Sequence, residues 1–372
     1  MYKNKAGILT FQNADNYGAI LQCYATYKHL SDLGLDCEVI NYDNGVFDWQ
    51  YSQNPFKKKL LKTKIHYILF WMFKFKRTHQ RVVMHRKLQN FLQNNTKLSE
   101  YCDKNSIRDI ASKYDYVISG SDQVWNPSLT EYDMNYFLPF AGKNSKKISL
   151  ASSIGNIKYW DHEFKEKVIN ELKTFDYISV REDDAAEFLK DNKLNAESIF
   201  DPTFMLTKDE WSHIAADISK KYPNGYVFMY VMAPYNDLYK VASEYAKAHN
   251  LPLITMGNIH ERDVRTIYDA GIEEFLGYIK HSSMFFTTSF HGIALASNMN
   301  VPFFYELDIA KKNVNSRILS LTNKLNIEDR EIHKAKSYDA TMDLKNINTN
   351  ISLYRNQINI FINKWKNDTG KV

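Results

Sequence analysis

The feature that most constrains how this chain folds is a repeated alternation of short apolar segments with longer segments of helical periodicity. The first half predicts strands at 6–11, 36–42, 115–118 and 148–151, with helices at 17–33 and 164–172. The second half predicts strands at 176–180, 198–200, 226–231, 253–256, 284–286 and 301–305, with helices at 183–189, 238–249, 272–279 and 353–365. Such alternation indicates parallel sheets built from right-handed strand–helix–strand crossovers.

Two such sets of elements in 372 residues fit two domains of ordinary size. We therefore expect an α/β fold with two Rossmann-like domains that face each other across a cleft. The predicted N-terminal domain spans 1–175, and the C-terminal domain spans 176–345. Residues 346–372 are expected to form a closing helix, with the option that it crosses back to the first domain.

The composition excludes several classes of protein. Hydrophobic residues make up 44% of the chain and charged residues 24%, which is typical of a globular rather than a disordered protein. The three cysteines are too few and too scattered for a disulfide framework or a zinc site, and they favour a reducing, cytoplasmic compartment. The apolar run at 6–11 is too short for a signal peptide, and no run approaches the ~18 residues of a membrane span.

One long stretch of the chain is strongly basic, although the net charge of the whole chain is only +5. No acidic residue occurs between Asp48 and Glu100, and basic side chains alternate there with apolar and aromatic ones. The basic residues are Lys57, Lys58, Lys59, Lys62, Lys64, Lys74, Lys76, Arg77, Arg81, Arg86, Lys87 and Lys97. The pattern predicts a basic helical arm, a pair of amphipathic helices at about 55–96, inserted in the N-terminal domain. The arm either packs on its own domain or lies on an anionic membrane surface, and nucleic-acid binding is a weaker alternative.

Polar residues follow several predicted strands, at the edge where open α/β sheets bind ligands. After the first strand, Asp15, Asn16 and Tyr17 precede a helix. One such residue is enough to cap a helix, and here there are several. These three residues therefore serve either as caps or as contacts to a bound ligand.

A second polar turn follows the predicted strand at 115–118. Gly120 between two serines allows a ligand to approach the backbone closely. Ser121, Asp122 and Gln123 then offer hydrogen-bonding groups, and Trp125 offers a ring face, as a sugar requires. The alternative is a tight turn around a buried tryptophan.

Arg181 stands at the end of the predicted strand 176–180, beside the start of a helix. Acidic side chains interact favourably with the positive end of the helix dipole, whereas an arginine at that end is electrostatically unfavourable. Its planar guanidinium suits a phosphate or a carboxylate. The alternative is a surface ion pair with Glu182 or Asp184.

The fourth polar turn lies at 287–292, between a short apolar strand and a helix of small residues. Free N–H groups at a helix start suit an anion, and Gly292 lies there. Histidine is the one side chain whose ordinary pKa lies close to physiological pH, so a histidine at position 291 could transfer protons. The alternative is a structural histidine. The sequence contains no Walker motif, no Gly-x-Gly-x-x-Gly, no Gly-x-Ser-x-Gly and no metal-ligand spacing.

Taken together, five short motifs in this order resemble the polysaccharide pyruvyl transferase family, from about Gly7 to Phe304. They are Asn16-Tyr17-Gly18-Ala19 with Leu21-Gln22, Ser119-Gly120-Ser121-Asp122-Gln123-Val124-Trp125-Asn126, Val180-Arg181-Glu182, Asp201-Pro202-Thr203 and Ser289-Phe290-His291-Gly292. The resemblance implies a GT-B-like fold of two Rossmann-like domains. It also implies transfer of a pyruvyl group from phosphoenolpyruvate to a sugar, with no cofactor and no metal.

The resemblance also implies roles for individual residues. Residues matching Arg181 and His291 bind the donor in that family, and Gly292 would add a backbone contact. Some members carry an arginine two residues before the histidine, and this chain has Ser289 there, which could still bond an oxygen of the donor. We expect His291 to act as the acid–base group, with Asp122 or Asp15 as a partner on the acceptor side.

The resemblance further implies the partners of the chain. They would be phosphoenolpyruvate and a sugar or lipid-linked oligosaccharide of a bacterial capsule or exopolysaccharide, at the inner face of the cytoplasmic membrane. The alternatives are a GT-B-type glycosyltransferase that uses a nucleotide sugar, and a non-catalytic assembly subunit. We expect no nucleic acid as a partner.

Overall fold

Strand pairing divides this protein between two parallel sheets. The structure, a computed structural model, describes residues 4–46, 64–259, 261, 264–308 and 315–368. The N-terminal unit comprises Met1–Met205 and Gln357–Val372, and the C-terminal unit comprises Leu206–Asn356. The α/β fold with two sheet-containing halves is therefore confirmed.

In the N-terminal unit, six described strands pair in the order β2-β1-β5-β6-β7-β8, all parallel. The strands are β1 (Lys5–Leu9), β2 (Asp36–Val39), β5 (Tyr116–Ser119), β6 (Lys146–Ser152), β7 (Tyr177–Val180) and β8 (Ala196–Ser198), and a separate pair joins β3 (Tyr42–Asp43) to β4 (Cys102–Asp103). The helices are α1 (Tyr17–Asp32), α2 (Lys64–Asn95), α3 (Ile107–Ala111), α4 (Pro127–Thr130), α5 (His162–Leu172) and α6 (Asp183–Asp191), with 3₁₀ turns at Met134–Phe137, Ile157–Tyr159 and Pro202–Phe204.

In the C-terminal unit, five described strands pair in the order β11-β10-β9-β12-β13, again all parallel. The strands are β9 (Val227–Val231), β10 (Leu253–Gly257), β11 (Arg265–Ile267), β12 (Met284–Thr287) and β13 (Phe303–Tyr305). The helices are α7 (Lys208–Ile214), α8 (Leu238–Ala248), α9 (Ile272–Lys280), α10 (Phe290–Met299), α11 (Ser316–Leu325) and the closing helix α12 (Leu344–Lys366), with 3₁₀ turns at Ser219–Lys221 and Glu328–Arg330.

Each sheet has a point where the chain changes direction across it. In the N-terminal unit the chain steps from β1 to β2 on one side and later adds β5 on the other side of β1. In the C-terminal unit it steps from β9 to β10 on one side and later adds β12 on the other side of β9. Neighbouring loops leave in opposite directions at such a switch point, and the gap between them is where ligands bind in sheets of this kind.

The strands form as predicted because they are buried on both faces. All five residues of β9 are buried and apolar or aromatic, as a central parallel strand covered by helices requires. Aromatic packing dominates the core of the N-terminal unit, where Trp125 stacks on Phe137, with 5.2 Å between ring centroids, and Trp160 packs edge-on to Phe164. The periodicity of these segments thus predicted elements that tertiary packing also favours.

The predicted boundary between residues 175 and 176 is wrong. Strand β7 pairs with β6 and β8 pairs with β7, so both extend the first sheet, and the N-terminal unit continues to Met205. Helix α12 begins in the C-terminal unit, and its residues from Gln357 belong to the N-terminal one, which agrees with the predicted option that the closing helix crosses back. Strand β11 and helix α11 were not predicted.

Helix α2 carries the described part of the basic arm. It runs without interruption from Lys64 to Asn95, so this stretch is one helix of 32 residues. Residues 55–63 of the predicted helical pair lie outside the described residues. Among the described residues, no helix has the length and apolar character needed to cross a membrane.

Candidate active site

The predicted ligand loops of the N-terminal unit lie at the switch point of its sheet. One loop follows β1 and the other follows β5, and the two are bonded directly to each other. The Thr10 hydroxyl donates to the Ser121 carbonyl at 2.8 Å, and the Gly120 N–H donates to the Leu9 carbonyl at 2.8 Å. A Cβ atom at Gly120 would lie 3.0 Å from Cβ of Thr10, so a small residue is needed for this close approach.

The three polar residues of the first loop have different roles in the structure. Asn16 is the N-cap of α1, and its side chain accepts the N–H groups of Gly18 and Ala19 at 2.8 and 3.2 Å. Tyr17 begins the helix and is buried. Asp15 does not cap the helix, and its carboxylate accepts a hydrogen bond from His85 of the arm helix. Capping thus accounts for Asn16 but not for Asp15.

In the second loop, the side chains of Ser121 and Asp122 point into a buried polar cluster. The Ser121 hydroxyl donates to Asp201 Oδ2 at 2.9 Å. Asp122 has a left-handed backbone (φ 73°), and its carboxylate accepts the N–H of Gln123 at 2.8 Å. The Gln123 side chain in turn accepts from Asn126 at 2.9 Å. The loop is therefore fixed by its own polar side chains.

Trp125 does not offer a ring face to a ligand. Its side chain is 0% exposed, it stacks on Phe137, and its indole N–H donates to the Tyr136 carbonyl at 3.1 Å. The predicted stacking of this ring on a sugar is therefore wrong. The alternative, a tight turn around a buried tryptophan, is the one the structure contains.

Arg181 lies at the end of β7, in the N-terminal unit rather than in the predicted donor domain. Its side chain is 1% exposed, Nη1 donates to Asp201 Oδ2 at 2.9 Å, and Nη2 lies 3.7 Å from Asp122 Oδ1. Burial disfavours the charged guanidinium, but the carboxylates of Asp201, Asp122 and Glu182 outweigh burial and raise the pKa of Arg181. Three carboxylates thus act on one guanidinium, which argues against the binding of a further anion there. The predicted donor contact of Arg181 stays a prediction.

A small open pocket of about 40 Å³ adjoins this cluster at the start of α6. It is lined by residues 154–157 and by Glu182, Asp184 and Ala185. The Ser153 hydroxyl donates to the Glu182 carboxylate at the same place. Because carboxylates line the pocket, neutral hydroxyl groups suit it better than phosphate does.

The C-terminal unit has a second constellation at its own switch point, between the loops that follow β9 and β12. The Thr288 hydroxyl accepts the N–H groups of Met232 and Ala233, both at 3.1 Å, and so joins the two loops. Beneath it, the Thr287 hydroxyl donates to the Tyr230 carbonyl at 2.8 Å. These bonds fix the turn from which α10 starts.

His291 lies in the first turn of α10, directly after that turn. The helix begins at Phe290, three residues before its predicted start, so the histidine belongs to the helix itself. The ring is 7% exposed and packs edge-on to Phe290, with 5.2 Å between ring centroids. Its position at the carboxyl edge of β12 agrees with a proton-transfer role, which stays a prediction.

Ser289 and Gly292 form the cap of this helix. The Ser289 hydroxyl accepts the Gly292 N–H at 3.2 Å, so the expectation that this N–H is free for a donor anion is wrong. A Cβ atom at Gly292 would lie 2.6 Å from Thr287 Oγ1, so glycine allows α10 to pack closely on β12. The Ser289 hydroxyl can still donate its proton to a ligand oxygen.

Glu306, which the sequence gave no reason to select, is a buried carboxylate at the end of β13. It accepts the N–H groups of Asn236, Asp237 and Leu238 at 2.9–3.0 Å and thereby caps α8. Its ligand atoms lie within 4.8 Å of those of Asp237 and His333, a grouping that could hold a metal ion among the residues described. Since three amides already hold the carboxylate, we interpret it as a helix cap.

Comparison with known proteins identifies the family to which this chain belongs. The profile of the polysaccharide pyruvyl transferase family matches residues 16–305. The chain belongs to the polysaccharide pyruvyl transferase family. It is therefore a transferase of polysaccharide biosynthesis, and the predicted resemblance is confirmed. No curated protein matches the sequence closely enough to count as a relative.

Solved structures similar to this pyruvyl transferase family member share its fold. A Listeria monocytogenes protein described as a UDP-N-acetylglucosamine 2-epimerase aligns over 100% of this chain and 99% of its own, with 11% identity and a TM-score of 0.52. HepE of Anabaena, solved with UDP-glucose, aligns over 97% and 99%, with 10% identity and a TM-score of 0.52. These similarities show a GT-B-like fold with two Rossmann-like halves and carry no information about the substrate.

Proposed function

We propose that this transferase moves the pyruvyl group of phosphoenolpyruvate onto two hydroxyl groups of one sugar. The sugar belongs to a bacterial surface polysaccharide, such as a capsule or exopolysaccharide, or to its lipid-linked precursor. The products are a cyclic ketal and phosphate. The family supports the reaction class, and the observation that carries the proposal is the location of His291 in the first turn of α10, at the switch point of the second sheet.

The reaction forms two carbon–oxygen bonds and breaks one. The first hydroxyl oxygen loses its proton and bonds to the central carbon of phosphoenolpyruvate, while the carbon–carbon double bond opens and the methylene carbon takes up one proton to become a methyl group. The second hydroxyl oxygen then bonds to the same carbon, and the carbon–oxygen bond to phosphate breaks with its electron pair. The proton of the second hydroxyl ends on the phosphate, so charge and atoms balance.

His291 is the group that we assign to protonating the methylene carbon. An imidazole with a pKa near neutrality can give and recover a proton at physiological pH. The neighbouring Ser289 hydroxyl can donate to an oxygen of the donor while its oxygen accepts the Gly292 N–H. No step of this reaction needs a metal ion or a cofactor.

We assign the acceptor to the loops of the N-terminal unit. Asp122 and Gln123 carry the oxygen and amide groups that bind sugar hydroxyls, and the carboxylate-lined pocket beside them favours a neutral ligand. We further propose that the basic arm holds the enzyme at an anionic membrane surface, where lipid-linked acceptors are found.

The test is a donor screen with the purified chain. We expect phosphate release from phosphoenolpyruvate only when a sugar acceptor is present, and a product whose mass increases by one pyruvyl ketal. His291→Asn should lower kcat by about 100-fold or more, because a positioned acid–base group contributes at least that much. His281→Asn, a histidine after α9 in the same unit, is the matched control and should retain wild-type activity.

Two outcomes would overturn the proposal. Release of a nucleotide from a nucleotide sugar, with no reaction of phosphoenolpyruvate, would instead identify a glycosyltransferase. A His291→Asn variant as active as the wild type would remove the histidine from the chemistry.

A further inference from the structure

An imidazole from the arm helix is bound to a buried carboxylate of the first ligand loop. His85 Nδ1 donates to Asp15 Oδ1 with 2.5 Å between the two atoms. The Asp15 side chain is 5% exposed, whereas the His85 side chain is 49% exposed. A carboxylate that holds Nδ1 fixes both the tautomer and the orientation of the ring, and it leaves Nε2 as the acceptor. The ring therefore has one fixed edge and one accessible edge.

The half of α2 that carries His85 is firmly packed on the N-terminal unit. Leu88, Phe91 and Leu92 are buried, and Phe91 packs edge-on to Tyr24 of α1, with 5.2 Å between ring centroids. One turn beyond His85, the Gln89 side chain donates to the Gln12 carbonyl at 3.4 Å, in the same loop as Asp15. The arm thus brings a histidine to the switch point of the first sheet and holds it there.

We propose that His85 is the general base for the acceptor, with Nε2 taking the proton of the attacking sugar hydroxyl and Asp15 acting as the positioning residue. This inference rests on the proposed function and adds a residue to it. A histidine oriented by a carboxylate is a recurrent arrangement for removing a proton from a hydroxyl group. The base comes from the inserted arm.

The proton balance of the first step is then complete. As the hydroxyl oxygen bonds to the central carbon of phosphoenolpyruvate, its proton passes to His85 Nε2. The electrons of the carbon–carbon double bond form a bond between the methylene carbon and a proton. The acid that supplies this proton is His291 in the proposed function. His85 afterwards gives its proton to solvent, and His291 recovers one from solvent.

The surroundings of His85 set the pH range in which it can act as a base. The hydrogen bond that His85 donates to Asp15 raises the pKa of His85 above its ordinary value of 6.5, partial burial opposes this, and the negative charge of Asp15 adds to the increase. Among the side chains that the structure describes, the other charged ones are Arg81, Arg86 and Lys87 on its own helix and Lys28 and Asp32 on α1. A base acts when it is unprotonated, so the rate should rise with pH through the pKa of His85.

The test compares two asparagine variants on the same helix. His85→Asn retains an N–H that can donate to Asp15 but has no Nε2, whereas His79→Asn changes an exposed histidine almost two turns earlier. We expect His85→Asn to lower kcat by about 100-fold or more, to abolish the low-pH limb of the rate profile and to leave Tm nearly unchanged. His79→Asn should match the wild type, and added imidazole should restore part of the activity lost in His85→Asn.

Asp15→Asn gives a second measurement that keeps the histidine in place. Without the carboxylate the pKa of His85 falls, so the low-pH limb should move to lower pH. The inference is overturned if His85→Asn keeps its kcat within about threefold with the limb intact, because the pair would then only fasten the arm, or if the limb of Asp15→Asn does not move. A wild-type chain that never releases phosphate from phosphoenolpyruvate would overturn the proposed function first, and this inference with it.

Discussion

At the scale of single residues, the buried pair of Arg181 and Asp201 should be the most sensitive charged contact at the candidate site. Asp201 is fully buried and accepts hydrogen bonds from Arg181, Ser121 and Thr203. Asp201→Ala leaves a buried guanidinium without its closest carboxylate, and we expect a loss of about 3–5 kcal/mol in the free energy of unfolding. Urea denaturation measures this loss.

The control for Asp201→Ala is an exposed ion pair in the same unit. Glu163 pairs with Lys167 at 2.7 Å on the surface of α5, with both side chains more than half exposed. Glu163→Ala should change the free energy of unfolding far less than Asp201→Ala does, because exposed pairs are screened by water and salt. Similar losses for the two variants would contradict the structural account of the buried pair.

The sequence predicted where polar residues gather but not what they contact. Residues at strand ends could be placed at the sheet edge by periodicity alone, and the loops of Asp15, Asp122 and His291 all lie there. The partner of Arg181 is 20 residues away, and the partner of Asp15 is 70 residues away on an inserted helix. No local pattern encodes such pairs, because they depend on how distant segments pack.

At the scale of elements, the last turns of α12 should stabilise a sheet whose strands lie far earlier in the chain. Trp365 is 0% exposed, and its ring packs on Tyr116 of β5 with 5.1 Å between ring centroids. Trp365→Ala should cost about 3–5 kcal/mol, the usual loss for a large buried aromatic side chain. Hydrogen exchange should increase in β5 and β6 and remain unchanged in β9 and β12.

The matched control lies on the same helix. Ile360 is 49% exposed, so Ile360→Ala should change the free energy of unfolding by less than about 0.5 kcal/mol. If Trp365→Ala increased exchange in the second sheet as much as in the first, the assignment of this part of α12 to the N-terminal unit would be incorrect.

Element types were easier to predict than the sheet to which each element belongs. The strand at 177–180 and the strand at 196–198 were predicted close to their actual positions, yet they were assigned to the wrong half. Both are short strands beside helices, and nothing in their own residues distinguishes an edge of one sheet from the start of another. Pairing of β7 with β6 decides the matter, and that is a long-range property.

At the scale of the whole molecule, charge distribution is the property that bears on where the enzyme works. The net charge is +5, yet the stretch between Asp48 and Glu100 contains twelve basic and no acidic residues. In the described part of this stretch, Arg81 and Arg86 are exposed on α2. A basic surface concentrated in one arm attracts an anionic membrane more strongly than the same charge spread over the protein.

Two variants with the same net charge distinguish the effect of where the lysines lie from the effect of how many the protein carries. One replaces Lys57, Lys58, Lys59, Lys62 and Lys64 of the arm with glutamine. The other replaces the exposed lysines Lys104, Lys143, Lys190, Lys208 and Lys247 with glutamine. We expect the arm variant to bind vesicles containing phosphatidylserine at least about 100-fold more weakly than the wild type, given roughly 1 kcal/mol per lysine near the surface. The second variant should bind nearly as well as the wild type, and sedimentation with the vesicles measures both.

Two results of the vesicle experiment would contradict a role of the basic arm in membrane binding. Equal loss of binding in both variants would mean that net charge alone governs the interaction, since each variant loses five positive charges. Unchanged binding in the arm variant would mean that the basic arm is a solvated structural element, as its packing through Leu88, Phe91 and Leu92 would also allow. If charge contributes to membrane binding, high salt should weaken the binding of the wild type. The reason is that salt screens the attraction, whose range falls to about 10 Å at 0.1 M.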